Sequence, residues 1–118
     1  MKKLLSNLLI VVAVLAAFSI SAAAQKQVRV KFEKGRYGTN YKGKTEVIYV
    51  LNIRKGQLID ASVVALNKKD VNLTVTEPGW EEENYQRKYY GRADKTGDFK
   101  FHVQVQKGGE YIFNITVK

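Results

Sequence analysis

From Gly97 to Lys118 the chain reads GDFKFHVQVQKGGEYIFNITVK. Phe99, Phe101, Val103 and Val105 alternate with Lys100, His102, Gln104 and Gln106. Tyr111, Phe113, Ile115 and Val117 alternate with Ile112, Asn114, Thr116 and Lys118. Such period-two runs of β-branched and aromatic residues are half-buried strands, because successive side chains of a strand point to opposite faces. The glycines between the runs predict a hairpin. A three-residue loop, Lys107-Gly108-Gly109, sets Val105 against Tyr111, Val103 against Phe113 and Phe101 against Ile115, with Gly109 in the left-handed position. One wall of a core is then in hand, and the rest of the chain must supply the others.

The same alternation recurs upstream. Val28, Val30 and Phe32 mark a first strand, and Val47, Tyr49, Leu51 and Ile53 a second. After the turn Lys55-Gly56-Gln57 come Ile59, Ala61, Val63 and Ala65. Val71, Leu73 and Val75 then run to the stop at Pro78-Gly79, and Tyr89 to Gly91 makes a short further strand. Residues 34–44 read as a loop rich in glycine, tyrosine and basic residues, and Trp80 to Lys88 as the longest irregular piece. No stretch has helical periodicity. About seven short strands with a turn signal every ten residues or so predict an all-β fold, an antiparallel β-sandwich of jelly-roll type. Its core is expected to hold Phe32, Leu51, Val63, Leu73, Phe101, Val103 and Phe113.

Residues 1–24 are expected to stand outside that fold. Lys2 and Lys3 precede the apolar run from Leu8 to Ile20, and Ala22-Ala23-Ala24 offers a cleavage site, the layout of a secretory signal peptide. The run is short for a membrane span. Residues 25–118 then form a single domain, periplasmic or secreted. Losing Lys2 and Lys3 lowers the formal charge from +9 to +7 on 94 residues. A domain of this size buries only roughly 60–65% of its unfolded surface, and with no cysteine it has no disulfide to help. Outside the cell, a basic surface points to polyanions or to an acidic protein cleft rather than to nucleic acid. A solvated lysine surface accounts for the same charge.

Catalytic material is sparse, so no enzyme, cofactor or metal is expected. After residue 24 there is one histidine, His102, on the polar side of a strand, and one serine, Ser62, inside another. A Ser-His-acid triad needs those side chains to converge beside an oxyanion pocket. Glu81-Glu82-Glu83 lacks the ordered spacing of a calcium loop.

The order of motifs is more telling. Val28-x-Val30-x-Phe32-x-Lys34-Gly35 leads to Tyr41-x-Gly43, then to the Tyr49 strand, Gly56-Gln57 and Glu77-Pro78-Gly79. Thr96-Gly97-Asp98-Phe99 and Tyr111-x-Phe113-x-Ile115 close the series. This order resembles the bacterial pre-peptidase C-terminal-like β-sandwich, and within it the periplasmic inhibitors of g-type lysozyme. The resemblance implies an exported inhibitor that inserts loops into the carboxylate-lined cleft of a g-type lysozyme. Those inhibitors tend to carry a long basic final loop, where this chain has only Lys107-Gly108-Gly109, so other loops must supply the cations.

If every strand crosses the sandwich, loops 34–44, 67–70 and 91–96 share one pole. That pole would gather Arg36, Tyr37, Tyr41, Lys42, Lys44, Lys68, Lys69 and Arg92 as the partner-binding set. Exposed tyrosine gives contact area at low entropic cost. The opposite pole would hold Arg54 and Lys55 with a second candidate surface, Trp80, Tyr85 and Lys107. The competing reading is an envelope module that binds a polyanion or a glycan and inhibits nothing.

Overall fold

The computed structural model describes residues 26–33 and 37–118, and there every regular element is a strand. The expected leader, residues 1–24, lies outside them. The strands are β1 (Lys26–Arg29), β2 (Gly38–Gly43), β3 (Val47–Ile53), β4 (Leu58–Ala65), β5 (Val71–Thr76), β6 (Glu83–Asn84), β7 (Lys88–Arg92), β8 (Gly97–Val105) and β9 (Tyr111–Val117). They form two sheets, ordered β1-β3-β8-β5-β6 and β2-β9-β4-β7. All pairs are antiparallel except β1 with β3, which runs parallel. The all-β sandwich is therefore present, with nine strands where about seven were expected. The additions are β2, read as loop from its glycines and polar residues, and the two-residue β6.

The inward faces follow the alternation. Ile53, Ile59, Leu73, Phe99, Phe101, Val103, Tyr111, Phe113 and Ile115 are all buried in one cluster with Leu51, Val63 and Val75. Of the expected core, only Phe32 departs: it is half-buried and packs against the cluster from outside.

The expected terminal hairpin does not form. β8 pairs with β3 and β5, whereas β9 pairs with β2 and β4, so the last two strands are the centres of opposite sheets. Phe101 and Phe113 meet across the sandwich, with ring centroids 5.8 Å apart. Alternation tells which side chains point inward, but two facing strands and two paired strands satisfy it equally. The left-handed residue is Gly108 (φ 82°), not Gly109. Gly109 is buried at the crossing, where a Cβ would come within 2.5 Å of a Val105 methyl carbon and 2.8 Å of the Gln106 carbonyl oxygen. Gly109→Ala must therefore push the crossing apart and should cost about 1–3 kcal/mol. Urea denaturation of that variant is the check, and an unshifted midpoint would show that the crossing yields freely.

Candidate functional site

Register decides which loops share an end. β3, β5, β7 and β9 all finish where β2, β4 and β8 begin. At this first pole lie Tyr37 and the connections 54–57, 77–82 and 93–96. The second pole holds the connections 44–46, 66–70 and 106–110.

The expected gathering of eight residues at one pole is thus split. Tyr37 and Arg92 stand at the first pole; Lys44, Lys68 and Lys69 stand at the second. Tyr41 and Lys42 lie along β2 between them, and Arg36 lies outside the described residues. The second candidate surface divides too. Trp80 is at the first pole, Lys107 at the second, and Tyr85 is half-buried against Tyr89. Two extra traverses upset the loop parity. β2 carries the chain from the first pole to the second within the stretch read as a single loop. β6 and residues 85–87 then bring it back down along β5, through Tyr85 N–H to Leu73 O (2.9 Å) and Leu73 N–H to Gln86 O (2.6 Å).

The first pole is firmly built. Gly56 N–H donates to Ala93 O (2.8 Å), Ala93 N–H to Gln57 O (2.9 Å) and Lys55 N–H to Thr96 Oγ1 (2.8 Å). The Arg92 guanidinium adds a bond to Gly56 O at 3.0 Å. These bonds fasten the 54–57 turn to the 93–96 turn and hold Arg54, Lys55, Arg92 and Lys95 on one rim. Beside them Trp80 is 59% exposed, with the Lys95 ammonium 5.7 Å from its ring centroid. Tyr37, at the start of β2, is 65% exposed and anchored through its carbonyl, which accepts from Val117 N–H at 2.8 Å. Exposed aromatic rings among cations on a fixed frame favour binding, because little freedom is lost on contact.

Elsewhere the tyrosines are structural. Tyr111 donates its proton to Thr45 O (3.0 Å), so the 3.0 Å contact between the Tyr49 and Tyr111 hydroxyls must be donated by Tyr49. Burial and then the Tyr111 hydrogen bond push the Tyr49 phenol far above its ordinary value of 10. Burial raises Tyr111 as well, against the bond it accepts from Tyr49. Burial, and then its hydrogen bond to the Glu77 carboxylate, raises Tyr89. Such raised phenols stabilise the fold fully below pH 10, and that stability is lost as pH climbs past it, because only the unfolded chain then releases the protons. Stability should therefore fall above pH 10, by up to about 1.4 kcal/mol per pH unit for each phenol held protonated. Tyrosinate absorbance should show a step coincident with unfolding. If all seven tyrosines ionise before structure is lost, the buried network is misplaced.

A third feature is a cleft of about 530 Å³ on one flank, between the outer strands β1 and β2. Tyr41, Lys42 and Lys44 line it, joined by Lys26, which composition alone did not single out. Among the described residues no group of acidic, histidine or cysteine side chains could hold a metal ion. His102 pairs with Glu46 on the outer face of one sheet, and Ser62 belongs to the outer face of the other, so the two cannot act together.

No protein-family model matches the chain, and no curated protein sequence matches it significantly. Solved structures do. A periplasmic inhibitor of g-type lysozyme from Aeromonas hydrophila superposes with a TM-score of 0.65 at 16% identity, over 79% of this chain and 96% of its own. The corresponding inhibitor from Salmonella Typhimurium gives 0.63 at 22% identity, over 80% of this chain and all of its own. The pre-peptidase C-terminal domain of a Bacillus anthracis collagenase gives 0.57 at 14% identity, over 80% and 96%. The chain has the β-sandwich fold that these inhibitors and the pre-peptidase C-terminal domain share.

Proposed function

We propose that the protein is an exported, non-enzymatic inhibitor of g-type lysozyme, and that it engages the enzyme through the first pole. The observation that carries this reading is the fixed rim of Arg54, Lys55, Arg92 and Lys95 beside exposed Trp80 and Tyr37. Glycan-cleaving sites depend on carboxylates and bind sugar rings, so cations and aromatic rings are the side chains that can occupy them. The likeness to inhibitors of this class over nearly their whole length supports the same reading, as does the leader-like start at residues 1–24 for a periplasmic location. The short final loop sits at the opposite pole, so its single lysine is no obstacle to this arrangement. Incubating the protein with g-, c- and i-type lysozymes and measuring cell-wall lysis tests the proposal. Selective loss of g-type activity is expected. Undiminished lysis by all three would refute it.

A further inference from the structure

The flank cleft has a chemistry that the first pole lacks. Lys26, Lys42 and Lys44 line it, and no carboxylate does. Lys26 and Lys42 make no ion pair among the described residues, while Lys44 shares its charge with Glu110 at 3.3 Å. The other basic stretches are diluted by acids: Asp94 and Glu77 at the first pole, Asp70 and Glu46 at the second. The cleft also offers a directed donor. The Tyr41 hydroxyl accepts Lys31 N–H at 3.2 Å, which leaves its own proton with no acceptor in the described structure.

The floor is rigid and chemically quiet. The Tyr41 ring lies 5.1 Å from that of Tyr49. The Tyr49 and Tyr111 protons are both spent in the chain that ends on Thr45 O. Gly43 permits this packing, since a Cβ there would lie 2.5 Å from the Tyr111 hydroxyl oxygen. A fixed aromatic floor, a rim of ammonium groups and one free phenol proton suit a compact group with several anionic oxygens. Lysine serves phosphate as a point charge, without the planar fork that carboxylates draw from arginine.

We infer that this cleft binds a phosphate group carried on a larger molecule. The site is separate from the first pole and stands whether or not a lysozyme is bound there. The test uses the protein expressed from its full chain, titrated at low salt with soluble linear oligophosphate and with phosphatidylglycerol vesicles. These present the same group from solution and from a surface, so the preferred form identifies the source. Binding to either is expected to weaken at least tenfold in the triple variant Lys26→Gln, Lys42→Gln, Lys44→Gln, with a flatter salt dependence. A second triple variant, Lys68→Gln, Lys69→Gln, Lys107→Gln, removes the same charge from the second pole and should bind within twofold of the unmutated protein. Tyr41→Phe should weaken binding severalfold with its melting curve unchanged. Equal losses in the two triple variants would reduce the effect to net charge and overturn the site. Failure of the unmutated protein to bind either form would overturn it as well.

Discussion

Phe101→Ala is expected to remove about 3–5 kcal/mol of folding stability. Its side chain is fully buried on β8, the middle strand of its sheet. Three rings surround it: Phe113 across the sandwich at 5.8 Å, Tyr89 at 6.3 Å and Phe99 along the strand at 6.4 Å. Truncation removes contacts on both layers at once, and the facing strands cannot close the gap without breaking ladders on either side. A domain of this kind has roughly 5–15 kcal/mol in all, and this one has no disulfide to fall back on. The variant should unfold at much lower urea concentration with an unchanged slope. Phe32→Ala is the natural contrast, because Phe32 is only half-buried. It should cost distinctly less, and an unmoved midpoint for Phe101→Ala would take that residue out of the centre.

Phe101 was legible in the sequence for the same reason that its pairing was not. Period two reports the face of a strand, and β3, β4 and β5 have the inward residues that alternation assigns them. Pairing depends on which backbone edges meet, which the side chains of 97–118 do not encode. Gly38–Gly43 shows a second limit. Its inward positions are Thr39, Tyr41 and Gly43, with one large apolar side chain among them, so composition reads it as loop. Register with β9 from Gly38↔Thr116 to Gly43↔Tyr111 makes it a strand anyway, as tertiary pairing overrides β-propensity. Val50 shows a third. It looks outward in the alternation, yet it is 7% exposed. It is paired with Arg29 on one side and Lys100 on the other, whose long apolar stems can cover it. The candidate site inherited the second error. Tyr37, Arg92 and Trp80 were recognisable as residue types, but their shared pole depends on β2 and β6, which the sequence does not announce. Lys26 had no signal beyond its charge.

On the proposed function, the double change Tyr37→Ala, Trp80→Ala should weaken inhibition of a g-type lysozyme at least tenfold, about 1.4 kcal/mol. Buried aromatic anchors carry most of the energy of typical interfaces, and these are the two most exposed rings at the first pole. Neither ring supports the core, so the melting temperature should hardly move; only the exposed contact between Trp80 and Lys95 is lost. The loss should appear in the dissociation rate, because association is set by long-range charge that the change leaves untouched. Many lysozymes are themselves cationic, so a chain of this charge gains little from steering and must hold its partner by local contacts. Added salt should then leave the affinity of the unmutated protein steady or improve it. Lys68→Ala with Lys69→Ala, at the far pole, is the matched control and should inhibit as before. If that pair abolishes inhibition and the aromatic pair does not, the enzyme is held at the second pole, and the rim fastened between Gly56 and Ala93 is structural only.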